Sequence, residues 1–230
     1  MSKSTTEPVS EASSDKYDLT HAQQYFDKHR QGFARRLSHW RDEQIARVAL
    51  ACAGEPGLVL DLPCGAGRFW PVLAQQPSRI IIAADNSANM LAIARQHQPA
   101  SLEDRLQYLQ TSAFAIDLPE NAVDSVFCMR LFHHIATAEN RLIMLREFHR
   151  ISRDSLIISL WVDGNFKAWK RRRLEARRAC SGDSGKNQNR FVLPRAVAEA
   201  EFVEAGFKVV KHYDFLPGYA LWRTYLLEKN

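Results

Sequence analysis

Residues 58–70 read LVLDLPCGAGRFW, and the reading of the fold turns on them. Leu58, Val59 and Leu60 form a short apolar run behind Pro56-Gly57, the pattern of a buried strand. Asp61 closes that run. Pro63, Gly65 and Gly67 then predict a tight turn, and a helical pattern begins near Arg68. A glycine lacks Cβ, so Gly65 and Gly67 can take positive φ and let a ligand lie against bare backbone. A strand feeding a glycine-rich turn feeding a helix is how α/β folds meet a nucleotide-like ligand. Taken alone, the stretch also fits an ordinary strand-to-helix turn.

The next segment adds weight. Residues 79–84, RIIIAA, are a second apolar run, and Asp85 ends it. An acidic residue there, about 20 residues past the first turn, can accept hydrogen bonds from two ribose hydroxyls. It can equally cap the helix that Asn86-Ser87 starts, which contains Met90 and Leu91. A third strand is predicted over 106–111, a fourth over 123–129 and a fifth over 156–161. Thr137 is a candidate N-cap for a helix to Ile151, with Leu142, Leu145 and Phe148 at core spacing. Short apolar strands alternating with helices imply right-handed crossovers and a doubly wound, mostly parallel sheet.

At this point the residues resemble a family. DLPCGAGRF (61–69) resembles the first motif of class I S-adenosylmethionine-dependent methyltransferases, and AADNSANML (83–91) their second. TSAFAIDLP (111–119) resembles the third, and AVDSVFCMRLFHHI (122–135) followed by LREFHRIS (145–152) the fourth. The flavour is that of quinone-biosynthesis and tRNA wobble-uridine methyltransferases. The resemblance implies a Rossmann-like sheet of seven strands with an antiparallel last strand, EFVEAGFKVVKHYDF (201–215) being the last helix and sixth strand. It implies S-adenosylmethionine as cofactor. Asp61, Pro63, Gly65 and Gly67 would then shape the pocket for its amino-acid half, and Asp85 would hold the ribose. Asn86 and Met90 would flank the adenosine, Ser112, Ala113 and Phe114 would meet the adenine, and Met129 would underlie the methionine part. Phe114 and Met129 can also be read as core packing.

Three departures stand out. Pro63 replaces the first glycine of the family's turn and removes a donor. Ser112 stands where many members carry an acidic residue. Ser152-Arg153-Asp154 replaces a Pro-Gly-Gly turn and is expected as a loop.

Methyl transfer asks little of side chains beyond holding the nucleophile near the methyl; a base is needed only if the acceptor must lose a proton. His133 and Arg130, just past the fourth strand, are the candidate catalytic residues, Arg130 as a binder of an acidic group. His133 and His134 also fit structural roles. Trp161, ending the fifth strand, is a candidate acceptor-pocket residue. No metal-ligating set is visible.

The chain has 230 residues, room for one α/β domain with a sizeable core. Residues 1–16 read as a disordered tail. Residues 17–53 read as helices, which the resemblance implies as a lid, with Tyr25 the candidate contact; an ordinary packing helix fits too. Residues 163–192 read as an insertion made of a basic helix and a flexible loop. The helix, FKAWKRRRLEARR (166–178), sets seven cations against Glu175 and carries Phe166 and Trp169. Its readings are a solvated face, tRNA phosphates, an anionic membrane near a lipid substrate, or an acidic small molecule. Net charge is +5 and the pI about 9.1, which permits an anionic partner. No apolar run reaches the ~18 residues of a membrane span. Cys52, Cys64, Cys128 and Cys180 lack CxxC spacing, and with no apolar N-terminal signal the expected location is cytoplasmic. The expected function is methyl transfer to a small-molecule or lipid-like acceptor. The alternatives are a tRNA methyltransferase using the basic helix and a non-catalytic module that binds the cofactor.

Overall fold

The computed structural model describes residues 33–180 and 189–230. The expected tail (1–16), most of the segment from Thr20 to Phe33 including Tyr25, and the loop over 181–188 lie outside the described residues.

Seven strands form one sheet: β1 (Leu58–Asp61), β2 (Ile80–Asp85), β3 (Leu106–Gln110), β4 (Val123–Cys128), β5 (Ser152–Trp161), β6 (Phe207–Asp214) and β7 (Trp222–Lys229). Their order is β3-β2-β1-β4-β5-β7-β6. The first five pair in parallel, and β7 lies antiparallel between β5 and β6. Six helices accompany them among the described residues: α1 (Phe33–Cys52), α2 (Trp70–Leu73), α3 (Ala88–Gln96), α4 (Ala138–Ile151), α5 (Phe166–Cys180) and α6 (Arg195–Glu204).

The central strands β1 and β2 are buried on both faces, which is why they read as unbroken apolar runs, whereas the edge strand β3 is largely half-buried or exposed. Alternate side chains supply two cores. Leu60, Ile82, Val126 and Ile158 pack with Leu145 and Phe148 of α4 and Phe202 of α6. Val59, Ile81, Phe127 and Ile157 pack on the other side with Ala46, Ala49 and Leu50 of α1, Trp70 of α2 and Leu91 of α3. The result is three layers with the sheet in the middle.

Local signals explain most boundaries. The Thr137 side chain accepts a hydrogen bond from the Asn140 N–H and starts α4 as expected. Gly206, at φ +94°, follows the end of α6. Other expectations need correcting. The helix after the glycine turn begins at Trp70, not near Arg68, because residues 64–67 close turns instead. Residues 152–154 are no loop. They begin β5, the Ser152 hydroxyl donating to the Phe148 carbonyl and Arg153 pairing with Asp124 at 2.8 Å. β2 starts at Ile80 as expected, with Arg79 just before it. Arg79 is almost wholly buried, donating to the carbonyls of Pro56 and Leu73 and to Glu55 at 2.6–2.8 Å.

Candidate active site

The strand order reverses between β1 and β4, and open α/β sheets bind ligands beyond the carboxyl ends of the strands at that point. The turn after β1 is stitched to both neighbours. The Leu62 N–H donates to the Phe127 carbonyl of β4 at 3.1 Å, and the Cys64 N–H to the Ala84 carbonyl of β2 at 2.8 Å. Gly65 takes φ +53°, and its N–H donates to Asp85 Oδ2 at 3.1 Å. Gly67 takes φ +75°; a Cβ there would lie 2.4 Å from the Trp70 ring. The turn therefore needs glycine twice, once for conformation alone and once for conformation and space. Pro63 is partly exposed at the head of the turn, after a cis Leu62–Pro63 peptide bond.

Asp85 joins the glycine turn to the start of α3. One carboxylate oxygen takes the Gly65 N–H, and the other takes the Ser87 N–H at 3.0 Å. Burial raises its pKa above the usual carboxylate range, against the backbone hydrogen bonds of Ser87, Gly65 and Asn86. A carboxylate has about four lone-pair sites, so these backbone bonds still leave it capacity for a ligand hydroxyl. Asp85 does not cap α3 with its side chain. Ser87 does, its hydroxyl accepting the Met90 N–H at 3.3 Å. Met90 is buried, with its Cε 3.7 Å from where a Gly65 Cβ would stand. Asn86 is partly exposed, and its carbonyl accepts from Gln110 Nε2 at 3.3 Å.

Beyond β3, the Thr111 N–H donates to the Asp85 carbonyl at 3.2 Å and brings the next loop alongside. The Ser112 hydroxyl accepts the Phe114 N–H at 3.2 Å. Ala113 is buried in the α4-side core, and the half-buried Phe114 packs against that core. The Ala113 side chain is thus packing, leaving only its backbone for a ligand. Met129 is buried with Phe69 and Phe127 in the α1-side core.

Asp61 is the unexplained charge of the crevice. It is 1% exposed, and neither carboxylate oxygen finds a hydrogen-bond partner among the described residues. Burial pushes its pKa well up; the Trp70 indole opposes this and Asp85 adds to it. An orphaned buried carboxylate is costly unless a cation or donor arrives. The α-ammonium of S-adenosylmethionine is such a group, and the glycine turn beside it is bare backbone. The residues present therefore fit the cofactor.

Past β4 the site changes character. Arg130 adopts φ +65° and donates its N–H to the Ser159 hydroxyl at 2.8 Å. Its guanidinium pairs with Asp42 of α1 and lies 4.5 Å over the Trp222 ring. Asp42 also takes Arg68 Nη2 at 2.6 Å. One buried carboxylate on α1 thus joins the end of the glycine turn to the end of β4. His133 sits in a short 3₁₀ turn, Phe132–His134, between rings: Trp222 at 4.7 Å, Trp161 at 5.0 Å and His134 at 4.0 Å between centroids. It is 5% exposed, and its Nδ1 is buried with no partner among the described residues. Burial, then His134, Arg190 and Arg130, lower its pKa to about 2. The ring is neutral at any ordinary pH. It can hydrogen-bond a ligand but is a feeble base. His134 is tied instead to the Asn189 carbonyl at 2.6 Å. Arg171 and Arg190 lie 5.3 and 5.8 Å over Trp161.

Asp42, Arg68, Ser159, Trp222, Arg171 and Arg190 were not singled out as site residues by sequence reasoning. Asp42 carried a readable signal: it stands on the face of α1 that buries Ile45, Ala46 and Ala49, where an acid needs a buried partner. Trp222 carried none, because its place depends on β7 slotting in beside β5.

Comparison with known proteins agrees with this geometry. A family model described as a methyltransferase domain matches residues 60–158. A tRNA (carboxymethyluridine(34)-5-O)-methyltransferase, ALKBH8, from Mus musculus is 26% identical over 188 residues, covering 79% of this chain and 26% of that protein. An uncharacterized methyltransferase-like protein from Schizosaccharomyces pombe is 31% identical over 97 residues, covering 42% of this chain and 34% of that one. The chain thus spans about a quarter to a third of the length of these relatives. Among solved structures, magnesium protoporphyrin IX methyltransferase from Synechocystis PCC 6803 with bound S-adenosylhomocysteine superposes with a TM-score of 0.73 at 15% identity, over 94% of this chain and 98% of that one. The glycine turn held to Asp85, the orphaned Asp61 and the matched domain point the same way: the chain carries a methyltransferase domain with the Rossmann-like fold of the S-adenosylmethionine-dependent enzymes.

Proposed function

We propose that the methyl acceptor is a small or lipid-like molecule with an acidic group and a flat or apolar body. The observation that carries this is the box of Trp161, Trp222 and His133, bordered by Arg130, Arg171 and Arg190. Aromatic walls favour an apolar or planar body, and guanidinium groups favour an anion. The lowered pKa of His133 supports a nucleophile that arrives ionised or needs no deprotonation.

On the cofactor side, Asp61 receives the ammonium and Asp85 the ribose hydroxyls. Pro63, Gly65 and Gly67 shape the turn around the amino-acid half. Asn86 and Met90 flank the adenosine, Ser112, Phe114 and the Ala113 backbone meet the adenine, and Met129 underlies the methionine portion. When bound, S-adenosylmethionine supplies an electrophilic methyl on a sulfonium. The chain's part is alignment: His133 Nδ1 hydrogen-bonds the acceptor, and Arg130, held by Asp42 and Trp222, meets its acidic group. Positioning of this kind supplies much of the acceleration in a displacement.

A second reading, methyl transfer to tRNA, draws on the names of the curated relatives and on the basic α5. Incubation with cofactor labelled in the methyl group, against lipid extract, small-molecule extract and bulk tRNA, separates the two. Label in the lipid or small-molecule fraction, reduced about 100-fold or more by His133→Ala and Arg130→Ala together, is expected. Label confined to RNA overturns the first reading and supports the second. Label in no fraction, with S-adenosylhomocysteine binding intact, supports a non-catalytic module.

A further inference from the structure

The outer side of α5 and the loop between β6 and β7 form one surface outside the cofactor crevice. Helix α5 turns Ala168, Arg171 and Glu175 inward, Arg171 donating to Glu175 at 2.8 Å. Its outer side carries Phe166, Trp169 and Leu174, each nearly half exposed, among exposed Lys167, Lys170, Arg172, Arg173 and Arg177. The loop between β6 and β7 extends the apolar part with Leu216 and Tyr219, also nearly half exposed.

The patch is built, not frayed. The Phe166 N–H donates to the Gly218 carbonyl at 2.9 Å, and the Lys167 N–H to the Tyr219 carbonyl at 3.1 Å. Asn165 fixes the start of the helix, donating to the Val162 carbonyl at 2.7 Å and accepting the Ala168 N–H at 2.9 Å. The Phe166 and Tyr219 rings stack at 5.8 Å and 10°, and Trp169 lies 5.7 Å from Phe166. An open cleft of about 490 Å³ runs between Phe166, Trp169, Arg172 and Gly218.

We propose that this face docks on an anionic lipid bilayer, with Phe166, Trp169, Leu216 and Tyr219 entering the headgroup boundary and the five flanking cations meeting lipid phosphates. Three observations favour lipid over nucleic acid. The rings already have faces taken: Phe166 and Tyr219 stack on one another, Lys167 lies 5.1 Å over Tyr219, and Arg173 lies 4.9 Å over one face of Trp169. Single-stranded nucleic acid needs open ring faces for its bases. Leu174 and Leu216 add aliphatic surface that gains from hydrocarbon and not from phosphate. The only acid on the described part of α5, Glu175, is directed to Arg171, so the outer side is uniformly cationic. Large apolar side chains beside Lys and Arg are the composition of an interfacial helix. Adsorption needs neither cofactor nor acceptor, so it stands or falls separately from the acceptor's identity.

The test is sedimentation of the full chain with phosphatidylcholine vesicles, with and without phosphatidylglycerol, at moderate salt. Enrichment on the anionic vesicles is expected. Phe166→Ser with Trp169→Ser, and separately Lys170→Glu with Arg173→Glu, should each lower the partition roughly tenfold or more. All four side chains are exposed and outside the cofactor crevice, so S-adenosylhomocysteine binding by calorimetry should be unchanged, which certifies the fold. Equal binding to neutral and anionic vesicles, or anionic binding that survives the serine pair, overturns the proposal. So does an absence of vesicle binding, whether the same residues then support binding to tRNA or self-association seen by light scattering.

Discussion

Gly65 and Gly67 both sit at positive φ, yet the two positions answer to different physics. At Gly65 a methyl group would meet only Met90 Cε at 3.7 Å, so Gly65→Ala should cost the left-handed strain, about 1 kcal/mol. At Gly67 the same methyl would enter the Trp70 ring, itself buried, so Gly67→Ala adds overpacking and should cost about 2–4 kcal/mol. Urea unfolding of the two variants checks the order. Asp85 is the other decisive residue, since it ties the turn and, in the function we propose, receives the ribose hydroxyls. Asp85→Ala should weaken S-adenosylhomocysteine binding by about 10–100-fold, the worth of charge-assisted hydrogen bonds; calorimetry reads it directly. His133 supplies a pH prediction. Its folded pKa lies below the unfolded value of 6.5, so its contribution to stability is full above that pH and is lost as pH falls from there towards about 2. The loss approaches ~1.4 kcal/mol per pH unit below 6. His133→Gln should flatten the decline in unfolding free energy between pH 6.5 and 5.

At the scale of elements, the parallel strands and the helix caps were legible because each rests on local chemistry. Leu58–Leu60 is apolar on both faces, and Thr137 offers a hydroxyl where α4 starts. What could not be read rests on contacts far apart in sequence. Arg79 reads only as the charged edge of an apolar run, and nothing in the run shows that the carbonyls of Pro56 and Leu73 converge on it. The buried place of Asp42 on α1 was readable, but not its partners, Arg68 and Arg130, at separations of 26 and 88 residues. The same holds for the clasp between α4 and α6. Arg141 and Glu201 form a buried two-pronged pair at 2.6 and 2.8 Å, and Arg141 also donates to the carbonyls of Ile135 and Ala136. Removing one partner strands a buried charge, so Glu201→Ala should cost about 3–5 kcal/mol. The double variant Arg141→Met with Glu201→Leu should recover most of that loss. A thermodynamic cycle by chemical denaturation measures both.

For the whole molecule, the crevice at the β1/β4 switch is a place where the fold concentrates cost. Asp61 and Asp85 have pKa values raised by burial, so protons bind the folded chain more tightly than the unfolded one. The sign follows: what these two groups add to stability is full below about 4 and is lost as pH rises through their folded pKa values. The free protein therefore reaches neutral pH with a strained pair of carboxylates. A ligand that brings an ammonium to Asp61 and hydroxyls to Asp85 relieves that strain, and it favours the ionised form of Asp61. Its affinity should rise with pH across the raised Asp61 titration and then level off. At a ligand concentration near 100 times Kd, binding adds about 2.7 kcal/mol, which in a chain of this size moves Tm by roughly 5–10 °C. S-adenosylhomocysteine should therefore raise Tm more at pH 8 than at pH 5, read by differential scanning calorimetry. Asp61→Asn keeps the shape and removes the charge, so in that variant the pH dependence of the shift should shrink while its Asp85 part persists. Full pH dependence in the Asp61→Asn variant would locate the linked proton elsewhere and remove Asp61 from the ammonium's side.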